Sequence, residues 1–117
     1  MPISFGFTET VYAYLGHPQD AKRVLEQGLA QLDPAWTFRQ LAFYIDLVIA
    51  HSLDHNVEEA CHYARQAARG AEQAKAPMTL ERVQDAAHTF LKPWKDSPVV
   101  KDLCEELRVL QAKLLSV

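Results

Sequence analysis

Residues 54–77 read DHNVEEACHYARQAARGAEQAKAP, and their apolar positions are almost all small: Val57, Ala60, Cys61, Ala64, Ala67, Ala68, Ala71 and Ala74. Spacings of three and four put these on one face of an α-helix. Asn56 with Glu59 three residues on has the form of a capping box, which predicts the helix start. An alanine face lets a neighbouring helix approach closely but removes little apolar area from water by itself. Such a helix must be sandwiched between larger faces on its flanks.

Both flanks carry those faces, and six helices without strands are expected. The first, about 4–15, presents Phe7, Val11, Tyr12 and Leu15 and stops at Gly16. Pro18 and Asp20 suit the first turn of the second, which carries Ala21, Val24, Leu25, Leu29 and Leu32. The third, about 34–53, is nearly encircled by apolar residues, with polar breaks at Arg39, Gln40 and Asp46, and should be the central buried rod. After the alanine helix, a fifth over about 79–92 is expected with Thr79 as cap, burying Leu80, Val83, Ala87, Phe90 and Leu91. Trp94 in the following connector reads as a plug at the end of a helix pair. A sixth, with Asp96 or Ser97 as cap and Pro98 first, places Val100, Leu103, Cys104, Leu107, Leu110 and Leu114 on one side. Short connectors make consecutive helices antiparallel neighbours.

At 117 residues the chain reads as a single domain, 1–117, or a piece of one. An apolar fraction of 49% and a charged fraction of 23% exclude a disordered or fibrous protein. A formal net charge of −3 argues against a nucleic-acid surface. No apolar run reaches the roughly 20 residues that cross a bilayer, and the first residues lack the features of a signal peptide, so a cytoplasmic location is expected. Cys61 and Cys104 both fall in apolar stripes and are expected to be buried thiols.

The turns Leu15-Gly16-His17-Pro18 and Asp54-His55-Asn56-Val57 lead into Ala21 and Ala60, 39 residues apart, and each unit ends in a proline, Pro34 or Pro77. This periodicity marks a helical solenoid. The pattern resembles the tetratricopeptide repeat: aromatic Tyr12, Gly16 at the turn, Ala21 and Ala60, the later small residues Gly28 and Ala67, then proline. His55 stands where that motif usually has glycine. The resemblance implies an all-α, α-α superhelix of three helix pairs, about 4–33, 34–76 and 79–116. A narrower likeness, over Glu58 to Leu110, is to the C-terminal repeats of actinobacterial-type helix-turn-helix regulators, which implies a sensor or oligomerisation role in transcription regulation.

Chemistry is sparse. His51 and His55 are four apart, with His62 and Cys61 following, but the helix should end between the first two, so no metal site is expected. Cys61 and His62 point to different helix faces, and Cys104 is surrounded by Asp102, Glu105 and Glu106, which disfavours its thiolate. No catalytic residue and no cofactor is expected. Lys22, Arg23, Arg65, Arg69 and Lys75 read as a basic outer face, solvated or clamping a carboxylate. In tetratricopeptide arrays the first helix of each pair lines the concave face, which here implies Glu9, Ala13, Arg39, Phe43, Asp46, Ala50, Arg82, Gln84 and Asp85. Arg39, Phe43, Asp46, Arg82 and Asp85 are the expected ligand contacts. The expected function is non-enzymatic binding of a protein or peptide, with a homodimeric assembly module as the alternative.

Overall fold

The computed structural model describes residues 18–31 and 37–115. They form α1 (Pro18–Gln31), α2 (Thr37–Leu53), α3 (Val57–Gln73), α4 (Pro77–Phe90) and α5 (Pro98–Leu115), with a 3-10 turn at Lys92–Trp94. No strand occurs among the described residues. The expected first helix, with Glu9 and Ala13, lies outside them.

Consecutive helices pack together, and so do α2 with α4 and α3 with α5. Two rows result, α2 and α4 in one, and α1, α3 and α5 in the other. The smallest dimension of the molecule, 19 Å, is that of two helix layers about 8–10 Å apart. This is an all-α helical-repeat fold.

The alanine helix is the shared wall. Ala60, Cys61, Ala64, Ala67 and Ala71 of α3 are fully buried. They meet Ile45 and Val48 of α2, Leu80, Val83 and Ala87 of α4, and Val100, Leu103 and Leu107 of α5 in one cluster. Close approach is visible at two glycines. A Cβ at Gly70 would run into Leu41 Cδ2, and one at Gly28 would lie 2.7 Å from Phe43 Cε1. Both positions therefore admit a neighbouring side chain that a larger residue would have to displace.

Two helices end in the same way. At the end of α2 the Asn56 N–H donates to His51 O (2.8 Å) and the His55 N–H to Ser52 O (3.1 Å). At the end of α3 the Ala76 N–H donates to Ala71 O (2.9 Å) and the Lys75 N–H to Glu72 O (3.0 Å). Both are Schellman motifs, which need a left-handed residue at the C′ position. His55 (φ 60°) and Lys75 (φ 52°) occupy it. This explains why the resembling motif uses glycine at the place of His55.

Several boundaries and exposures differ from expectation. Asn56 makes no side-chain capping bond, so the capping box with Glu59 does not form. The fifth expected helix starts at Pro77 rather than Thr79, because proline suits a first helical position and Ala76, just before it, is held out of helical geometry (φ −115°, ψ 80°). That helix ends at Phe90, with Lys92 already in the 3-10 turn. Val24 and Cys104 are exposed and Phe90 is half-buried. Trp94 packs against the main cluster and takes the edge of His55 at 5.7 Å.

Replacing a strained left-handed residue by glycine should stabilise the chain. Lys75→Gly is expected to raise unfolding stability by about 1 kcal/mol in urea denaturation. His55→Gly should gain less, because it also loses the Trp94 contact. A loss of stability in Lys75→Gly would contradict the turn geometry.

Candidate functional site

Asp46 is the one acidic residue of α2, set among Ile45, Leu47 and Val48. It is 4% exposed, and its Oδ2 has no hydrogen-bond partner among the described residues. Burial pushes its carboxyl up to about 7, against an opposing pull from the Arg82 guanidinium on α4. Arg82 itself is exposed. The α2–α4 row thus presents a buried carboxyl that can hold or release a proton near neutrality, next to a solvated cation.

The other three expected contacts are placed elsewhere. Phe43 is half-buried in the α1–α2 interface with Leu25, Leu47 and Ala50, its ring over Gly28. Asp85 is exposed on α4 and lines a hollow of about 270 Å³ with Gln84, His88, Cys104 and Leu107, which turns it toward α5. Arg39 is half-buried near the start of α2. The structure brings together Asp46 and Arg82 from the expected set, places Phe43 against α1 and Asp85 toward α5, and leaves Arg39 near the start of α2.

A second polar cluster was not legible in the sequence. Lys22 of α1 is buried and ion-paired with Asp54 at the end of α2, and Gln19 Nε2 donates to the same Asp54 Oδ2 at 2.9 Å. His51 is 4% exposed, and neither ring nitrogen has a hydrogen-bond partner among the described residues. Its ring stacks on Tyr63 of α3 (centroids 5.4 Å apart, 20° between planes). Tyr63 in turn stacks on Tyr44 and donates its hydroxyl proton to Glu26 Oε2 of α1 at 2.9 Å. The only hint in the sequence was Lys22 and Glu26 four apart, which fixes a shared helix face but not what faces it. Lys22 is thus not part of a solvated basic face. Arg65 and Arg69 also leave it in part, since both pair with Glu106 of α5 (2.8 and 3.5 Å).

Burial pushes the Cys61 thiol up, away from the thiolate a nucleophile needs. Among the described residues no group of three or more His, Cys, Asp or Glu side chains is placed to hold a metal ion. No described helix is long and apolar enough to cross a membrane.

No protein-family model matches the chain, and no solved structure does. The chain is similar to a pentatricopeptide repeat-containing protein of Arabidopsis thaliana, 31% identical over 93 residues. The match covers 79% of this chain and 11% of that relative. A likeness to a helical-repeat protein agrees with the two-row helix packing.

The raised carboxyl of Asp46 has a testable sign. Its folded value of about 7 lies above the ordinary 3.8, so the native state holds a proton that the unfolded chain has released between those limits. Its contribution is therefore present in acid and lost as pH rises toward 7. Asp46→Asn keeps the shape without titrating. The variant should gain about 2–3 kcal/mol on the parent chain between pH 5 and pH 8 in urea denaturation. A gap that does not change with pH would contradict a protonated buried Asp46.

Proposed function

We propose that the chain is a non-enzymatic binding module, a stretch of helical-repeat array that engages a protein or peptide partner along the α2–α4 row. The observation that carries this reading is Asp46, whose buried oxygen lacks a donor, beside the exposed cation Arg82. A buried acceptor without a donor costs about 1–3 kcal/mol, which a partner's N–H group or ammonium would return on binding where the α2–α4 row parts to admit it. Arg82 supplies a guanidinium for a carboxylate two or three residues along the same peptide. Partners suited to the pair carry a basic and an acidic residue close together in an extended segment.

The likeness to a plant repeat protein supports a repeat-based module and lends nothing to a role in bacterial transcription regulation. The absence of nucleic-acid contact is part of the same proposal, resting on the net charge of −3.

Fluorescence-polarisation titrations with an array of extended peptides, each pairing Lys or Arg with Asp or Glu, test it. Some of these peptides should bind, and tighter at pH 8 than at pH 6 as Asp46 ionises. Asp46→Asn should weaken the tightest by about tenfold, the loss of one charged hydrogen bond, while Lys101→Ala on the outer side of α5 changes nothing. Binding untouched by Asp46→Asn, tight binding of RNA oligonucleotides instead, or a concentration-dependent dimer with no peptide bound would overturn it.

A further inference from the structure

The His51 cluster has no role in that binding row, and its geometry is unusual for a packed core. A neutral imidazole always carries one N–H, so a ring 4% exposed with both nitrogens unpartnered leaves a donor and an acceptor unsatisfied. The nearest acidic atom is Glu26 Oε2, 3.9 Å from Nε2, beyond hydrogen-bond reach and already accepting from Tyr63. The hollow over the ring, about 420 Å³, is lined by Gln19, Lys22, Arg23, Glu26 and Gln27. Lys22 is paired with Asp54 and Arg23 with Asp20, so no uncompensated cation waits there for an anion. What the arrangement does contain is a buried ring, directly beneath α1, that acid would charge.

We propose that His51 is an acid-sensitive latch on α1: the neutral ring lies buried beneath α1, and a protonated ring draws water into that contact and loosens α1 from α2. The groups facing His51 divide as follows. From α1 come Lys22, which opposes a positive ring, and Glu26, which favours it; Asp54 in the α2–α3 turn and Glu59 on α3 favour it from further off. Burial opposes the charge more than any of them, so the ring stays neutral below its ordinary range. Because the unfolded chain takes up the proton first, the hold on α1 is complete above pH 6.5 and is lost as pH falls below it. A carboxylate has two oxygens, so Glu26 can keep the Tyr63 hydroxyl and still offset part of a ring charge, which limits the loosening without removing it.

Hydrogen exchange of the backbone amides, read by mass spectrometry and corrected for intrinsic rates, tests the latch. Between pH 7.5 and pH 5.5, amides of residues 18–31 should exchange faster by up to about tenfold per pH unit, the limit for one linked proton, while those of α4 and α5 hold steady. His51→Phe keeps the stack on Tyr63 and cannot titrate, so its α1 exchange should not respond to acid. Glu26→Gln, at an exposed position and still able to accept from Tyr63, should deepen the response, because a charged ring then has no carboxylate to turn to. An α1 that is equally protected at both pH values, an acid response that survives in His51→Phe, or a response abolished in Glu26→Gln would each overturn the proposal.

Discussion

The packing of this chain depends on one constraint: the fully buried face of α3 is built of small side chains and meets three neighbours at once. Ala60, Ala64, Ala67 and Ala71 have no exposed surface, yet each brings a single methyl group to the core. Burying a methyl contributes less than 1 kcal/mol, so the alanine face itself stabilises little. Its effect is geometric. It lets the larger side chains of α2, α4 and α5 reach across to a common cluster, and those carry most of the buried apolar area. A helix of leucines in the same place would hold the rows apart and leave the two ends of the array to pack separately.

The repeat character follows from the same constraint and from the turns. Two helices, one from each row, end in a Schellman motif with a left-handed residue, His55 or Lys75. The chain reverses direction in the same few residues each time. Neither residue is glycine, so each turn holds backbone strain of about 1 kcal/mol that the surrounding packing must overcome. Such strain is tolerable here because the helices on either side are anchored along their whole length by α3.

Much of this was legible in the sequence, and the parts that were not share a cause. The apolar period of Leu80, Val83 and Ala87 or of Leu103, Leu107 and Leu110 identifies helices without reference to anything distant. The interruption of α2 by Asp46 likewise marks that residue as special before any packing is known. Local signals failed where two of them competed. Asn56 was a good cap by type, but its N–H was already committed to closing the previous helix, and its backbone (φ −98°, ψ 77°) leaves the side chain unbonded to α3. Thr79 looked like a cap, and Pro77 at a first helical position took precedence. Cys104 shares the stripe of Leu103 and Leu107 but sits at its edge, outside the strip of α5 that α3 and α4 cover. The Lys22–Asp54 pair and the His51–Tyr63 stack join residues far apart in sequence, so no window of the chain contains them.

The polar groups inside the fold stand apart from its stabilising core. Asp46 and His51 both lie on α2, both are almost fully buried and both retain unpartnered atoms. Their pH dependences oppose each other, since acid relieves Asp46 and burdens His51. All of this requires that α3 be enclosed as closely as its alanines allow. The most direct measurement is the stability of Ala64→Leu beside that of Ala112→Leu, a matched change on the exposed side of α5. Chemical denaturation should show Ala64→Leu losing about 2 kcal/mol or more through overpacking, and Ala112→Leu staying within about 0.5 kcal/mol of the parent chain. Equal stability of the two variants would contradict the account, because α3 would then have room on a flank where none is described.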